Sequence, residues 1–205
     1  MPAPSLAELV APAHTALVTQ ECQRGVVGDR SMLPELAAAS GAMVAHAARL
    51  AVAARQAGVR VVHGVALRRA DGQGANTNAR LFAAVARVPG ALQPGTPAAE
   101  VVPEIGVGPG DVVVPRYHGL SPMSGTELDA VLRNLGVRTV VMVGVSVNVA
   151  IPNFAFDAVN AGYQVVVPRD AVAGTPPEYV EAVLTHTLGL VATLTTTDDL
   201  LAAWA

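Results

Sequence analysis

The sequence predicts an α/β protein: a three-layer α/β/α arrangement in which a Rossmann-like parallel sheet of about six strands carries helices on both faces. Three observations predict it. Short β-branched runs alternate along the chain with longer, alanine-rich segments of helical character, as strand–helix–strand units do. The strand-type runs are almost continuously apolar, "VRTVVMVGV" (137–145) above all, which is the pattern of a strand buried on both faces. The composition, 52% hydrophobic but only 3% aromatic, suits a core packed from small and β-branched side chains. No linker, repeat or low-complexity tract interrupts the 205 residues, so residues 1–205 read as a single domain.

The elements follow in order. "HTALVTQ" (14–20) is a strand. Residues 31–58 read as one long helix, with Ser31 as N-cap and Gly58 as its stop. "VRVVHGVAL" (59–67) is a second strand, and 68–88 begins as a polar loop and becomes a short helix. A strand at 111–114 precedes a helix over about 125–135 that stops at Gly136. The strand 137–145 runs into a helix over about 148–161, ended by Gly162. Strand 163–168, helix 177–189, strand 190–196 and a short helix 198–204 complete the chain. In open parallel sheets the ligand sits beyond the carboxyl ends of the strands. That rule selects Gln20–Gln23, Leu67–Asp71, Pro115–His118, Val145–Ala150 and Pro168–Asp170.

Several function classes are excluded by bulk properties. A formal charge of −3, with only 13 Lys+Arg dispersed along the chain, predicts no nucleic-acid partner. No apolar run approaches the roughly 20 residues of a membrane span, so no membrane partner is expected. The N-terminus lacks the basic and apolar regions of a secretory signal, and the expected location is cytoplasmic. Cys22, the single cysteine, excludes an internal disulfide. The five histidines show no metal-ligand spacing, so no metal and no cofactor is expected. "GVGPG" (106–110) precedes a strand rather than following one and reads as a turn, not a phosphate loop. "GVSVN" (144–148) approaches a nucleophile elbow, with Asp170 and His186 in serine-hydrolase order. Its second glycine is replaced by Asn148 and His186 falls inside a helix, so Ser146 reads as a polar turn residue.

Three segments resemble the isochorismatase-like hydrolase superfamily, also called the cysteine hydrolases. "TALVTQECQ" is similar to its A-L-L-x-x-D-x-Q strand. "SPMSGTELDAVLRNLGVRTVVMVGV" is similar to S-A-F-x-G-T-x-L-x-x-x-L and the strand that follows it. "GVSVNVAIPNFAFDAVNAGYQVVVPRDAVAG" resembles G-V-x-T-x-x-C-V-x-x-T-A-x-D-A-x-x-x-G-Y-x-V-x-V-x-x-D-A. The resemblance covers nearly the whole chain. It implies a small-molecule substrate, a homodimer or homotetramer, and a site built from Asp, Lys and Cys. The thiolate attacks a carbonyl or nitrile, the Asp handles its proton, and backbone amides after a non-proline cis peptide bind the oxyanion.

Every one of those three slots departs from the pattern. The Asp slot holds Glu21, which moves the carboxylate outward by one methylene, about 1.5 Å. The Cys slot holds Ala150. The Lys slot falls on Tyr117 when counted back from Ser121 without a gap, or on Arg116 with one extra residue. Cys22 lies next to Glu21 but on the opposite side of an extended chain, and reads as a core residue. A branch of the resembled family that cleaves vinyl ethers also has a small residue at the cysteine slot. There a carboxylic acid protonates carbon and water completes the reaction.

The expectation is therefore a cysteine-free hydrolase acting on a small vinyl ether or amide, carboxylated or not. Glu21 and Arg116 would carry the chemistry. Tyr117, His118, Ser146, Asn148, Val149, Ala150 and Arg68 would line the substrate site, with Arg69, Arg80 and Asn76 as further carboxylate contacts. The rival expectation is an inactive family member that binds a small molecule or an assembly partner. Convergence of Glu21 and Arg116 on a cleft bounded by Ala150 favours the first. Filling of that space by Phe154, Tyr117 or Met123 favours the second.

Overall fold

The computed structural model describes residues 4–88 and 90–205. The first three residues of the N-terminal stretch read above therefore lie outside it. The helices are α1 (Leu6–Leu9), α2 (Pro34–Ala39), α3 (Gly41–Ala57), α4 (Arg80–Ala86), α5 (Leu128–Asn134), α6 (Ala150–Asn160), α7 (Pro177–His186) and α8 (Thr197–Trp204). The strands are β1 (Thr15–Gln20), β2 (Arg60–Ala66), β3 (Val112–Arg116), β4 (Thr139–Val145), β5 (Gln164–Pro168), β6 (Val172–Ala173) and β7 (Thr193–Thr195). They form one parallel sheet in the order β3-β2-β1-β4-β5-β7, with β6 paired to the end of β4.

Side-chain alternation along the strands divides the core into two layers. Leu17, Val61, Val141, Val143 and Val166 point to one face and pack with α3 and the α8 residues Leu200 and Trp204. Ala16, Val18, Val62, Val140, Met142 and Val165 point to the other and pack with Leu128 and Leu132 of α5, Phe154 of α6 and Leu184 of α7. Both faces of the central strands are covered, which is why those strands read as unbroken apolar runs.

Two sequence expectations are corrected. The predicted 31–58 helix is two helices, because the Ser40 hydroxyl bonds back to the Leu36 carbonyl at 2.6 Å and Gly41 follows at once. Ser31 caps neither: its hydroxyl donates to the Val26 carbonyl and accepts from the Leu33 N–H. Gly58 does end α3, in the left-handed region at φ 77°, while Val59 N–H bonds the Ala54 carbonyl at 2.8 Å. The sheet of about six strands stands, with the two-residue β6 as a short seventh. "GVGPG" is a turn, as read: Gly108 N–H donates to Asp111 Oδ2.

β1 and β4 pack especially closely at their carboxyl ends. Gly144 has φ 114°, and a Cβ there would lie 2.2 Å from the Gln20 carbonyl oxygen and 3.0 Å from Cys22 Sγ. Only glycine fits this position.

A buried polar chain lies under α3. His63 Nε2 sits 3.0 Å from Asp111 Oδ2, and its Nδ1 lies 2.8 Å from the Thr19 hydroxyl. The Asp111 carboxylate can only accept, so Nε2 carries the proton and Nδ1 accepts from Thr19. Burial pushes the His63 imidazole below its ordinary value, although Asp111 pulls the other way. Burial works to raise the Asp111 carboxyl, but hydrogen bonds from Arg55, His63 and Gly108 hold it below its usual range. A histidine depressed in the native state takes up protons more readily when unfolded. Its contribution to stability is complete above the unfolded value and is lost as pH falls through it. Unfolding stability should therefore decline as pH falls below about 6.5, the ordinary imidazole value, with a His63-dependent slope of at most about 1.4 kcal/mol per pH unit. Denaturant titrations of wild type and His63→Gln should show a flatter dependence in the variant over that window.

Candidate active site

The strand order reverses between β1 and β4, since β2 and β3 continue to one side and β5 and β7 to the other. Ligand crevices form at such a reversal, beyond the carboxyl ends of the strands. A cleft of about 960 Å³, its open mouth included, lies there. Glu21, Arg116, Tyr117, His118, Ser146, Val149, Ala150 and Arg68 all line it.

Glu21 directly follows β1, with its N–H bonded to the Gly64 carbonyl and its backbone in the left-handed region at φ 53°. That turn, rather than strand alternation, separates it from Cys22, which is 1% exposed in the core. Glu21 Oε1 accepts from Arg116 Nη2 and from Gln20 Nε2, the latter at 2.9 Å. Oε2 has no protein donor among the described residues. Both donors occupy Oε1, so Oε2 is the oxygen left to exchange a proton with a ligand.

Arg116, not Tyr117, supplies the charge that meets Glu21. Its guanidinium is itself held by the His118 and Gly119 carbonyls. All 13 basic residues of the chain are arginines, so no lysine stands anywhere near the site. The Arg116 side chain is a fixed charge rather than a proton carrier. The loop that follows is pinned in turn: Gly119 N–H donates to Asn76 Oδ1 at 2.7 Å, and the His118 ring lies against Gly125.

The β4–α6 junction supplies backbone rather than side chains. The Val145–Ser146 peptide is cis. The Ser146 carbonyl accepts from Val149 and Ile151, Pro152 has no N–H, and Asn153 bonds the Val149 carbonyl. The Ala150 N–H has no protein acceptor among the described residues, and no side chain caps α6. An unpaired N–H at a helix start can hold a carbonyl oxygen or an anion.

Several expected contacts are not made. Asn148 does not line the cleft: its amide both donates to the Thr175 carbonyl and accepts the Thr175 N–H, bracing the next loop instead. Arg69 is paired with Asp71, and Arg80 starts α4 outside the cleft lining. Asn76 lines the cleft, but its carbonyl oxygen is committed to Gly119. Asp170 accepts from Thr197 and faces His46, so it forms no triad with Ser146. Phe154 and Met123 are buried in the core layer beyond the sheet, and Tyr117 stands at the cleft wall 39% exposed. None of the three closes the space in front of Glu21.

Sequence reasoning missed the part played by Gln20, whose amide pins the Glu21 carboxylate, and of Gln23. The buried Gln23 amide donates to the Ala66 and Ala99 carbonyls and accepts the Ala66 N–H, holding the ends of β1 and β2 together. The signal was present, because Gln23 stands in the Gln position of the resembled strand motif. No group of three or more His, Cys, Asp or Glu among the described residues is arranged to hold a metal ion. No described helix is long and apolar enough to cross a membrane.

Fold and site together define a doubly wound α/β domain with its cleft at the switch point. A model of the isochorismatase domain matches residues 15–199, and the chain belongs to that family. The uncharacterized isochorismatase family protein YwoC of Bacillus subtilis is 35% identical over 103 residues, covering 50% of this chain and 54% of its own. The ureidoacrylate amidohydrolase RutB of Agrobacterium fabrum is 33% identical over 109 residues, covering 50% of this chain and 46% of its own. The chain spans about half the length of the curated relatives it matches. The N-carbamoylsarcosine amidase of Thermoplasma acidophilum superposes with a TM-score of 0.72 at 26% identity, covering 90% of this chain and 97% of the other.

Burial, and behind it the charge of Glu21, pushes the Cys22 thiol up to about 12. Cys22 should therefore resist alkylation by iodoacetamide in the folded protein at neutral pH. Mass spectrometry should detect its modification only after denaturation.

Proposed function

We propose that this protein is an isochorismatase-family hydrolase that cleaves an amide-type C–N bond with water, not a cysteine, as nucleophile. The observation that carries this reading is the state of Glu21. One carboxylate oxygen is tied down by Arg116 and Gln20, while the other, on a side chain that lines the cleft, has no donor among the described residues. A carboxylate so held is a proton acceptor oriented toward a ligand. This favours base chemistry on a carbonyl over the acid-first protonation that a vinyl ether requires.

In the proposed sequence Glu21 Oε2 removes a proton from water as the water oxygen bonds to the carbonyl carbon. The carbonyl π electrons move to oxygen, and the resulting anion is held by the Ala150 N–H. The Glu21 proton then passes to the leaving nitrogen, the C–N bond breaks, and acid and amine depart. Arg116 keeps the carboxylate in place throughout and transfers no proton. The amide chemistry named for RutB and for N-carbamoylsarcosine amidase supports the choice of bond. Ala150 in the nucleophile position favours a second reading, a binder of the same small molecules without turnover.

Assay of a panel of primary amides, carbamoyl compounds and isochorismate should detect amide turnover. Glu21→Gln should reduce kcat/KM by at least about a hundredfold, the scale of a lost general base. No turnover of any amide would favour the binder, and turnover that survives Glu21→Gln would remove Glu21 from the mechanism. Ala150→Cys should add a second, alkylation-sensitive component of amidase activity, measured with and without iodoacetamide.

A further inference from the structure

We propose that the substrate is an uncharged amide carrying an aliphatic or aromatic group of several carbons, rather than a carboxylated molecule. This rests on the Glu21-centred reading above and names what that site accepts.

The cleft walls carry the proposal. Met32 and Leu33, just before α2, and Leu36 within it line the cleft. Phe82 and Val85 of α4 and Leu92 line it too. Every residue of α4 after Arg80 is apolar, yet none of its residues is buried. A helix normally covers its apolar face with core. The side of α4 that lines the cleft is covered by no core residue, and an apolar ligand would bury it.

The charge balance agrees. Two arginines line the cleft. Arg116 already has its charge matched by Glu21 and gives both Nη1 donors to the His118 and Gly119 carbonyls, so it brings no unpaired positive charge to a substrate carboxylate. Arg68 has no carboxylate partner among the described residues, but its guanidinium lies back against Gly72 in the adjoining turn. A dicarboxylate would bring two negative charges toward Glu21 with at most one free cation to meet them. Its desolvation would go uncompensated among aliphatic side chains.

Isothermal titration of the intact protein with butanamide, hexanamide and octanamide, beside isochorismate, tests the proposal. Affinity should rise about fourfold per added methylene until the cleft is filled. Phe82→Ser/Val85→Ser changes two unburied positions, so the fold should survive, as circular dichroism would verify. The variant should lose most of the chain-length gain while binding butanamide comparably. A flat series, or isochorismate binding more tightly than octanamide, would overturn the inference. A steep series without turnover would leave it standing and sink the hydrolase reading. Turnover confined to carboxylated substrates would uphold hydrolysis and overturn the apolar substrate.

Discussion

The ion pair between Glu21 and Arg116 is the contact around which the site is organised. It joins the ends of β1 and β3, which are not neighbours, since β2 lies between them. Adjacent strands are about 4.8 Å apart, so the pair must span roughly 10 Å. A glutamate and an arginine, both long, can meet across that gap. The intervening strand also holds Glu21 in place, since the Gly64 carbonyl receives the Glu21 N–H. The same guanidinium gathers the His118 and Gly119 carbonyls, so one side chain sets both the carboxylate and the loop that forms one cleft wall.

Backbone geometry makes that arrangement accessible. Gly144 lets β4 approach β1 so closely that no side chain fits between them. The left-handed turn at Glu21 aims its carboxyl into the cleft and sends Cys22 into the core, where its thiol is inert. Gln23 ties the end of β2 to the loop at Ala99 from below. The result is a rigid floor under a cleft whose upper walls, α2 and α4, are short and apolar.

The chemistry follows from what the junction at α6 lacks. Ala150 offers no nucleophile, and the fixed Arg116 offers no mobile proton. What is left is one free carboxylate oxygen, one unpaired helix-start N–H and an apolar cavity. The proposed hydrolysis assigns water activation to the first and the oxyanion to the second, and the proposed uncharged substrate to the third.

Local sequence determined the fold class. Strands such as 137–145 announce themselves because burial on both faces demands continuous β-branched residues, and Gly58, Gly136 and Gly162 mark helix ends by their positive φ. That Glu21 and Ala150 line a cleft was legible for a related reason: a parallel sheet opens its crevice at the carboxyl ends of its strands, although Pro168–Asp170, selected by the same rule, lie outside the lining. Other features depended on partners distant in sequence. Whether Arg116 or Tyr117 meets Glu21 was settled by a contact across 95 residues. Asn148 turned away because Thr175, 27 residues on, satisfies its amide. The gathering of α2 and α4 residues around one cleft is likewise tertiary, whereas the break at Ser40 and the Gln20 bond to Glu21 are local contacts that periodicity does not reveal. Composition and periodicity determine which elements form, but packing decides which side chains face one another across a cleft.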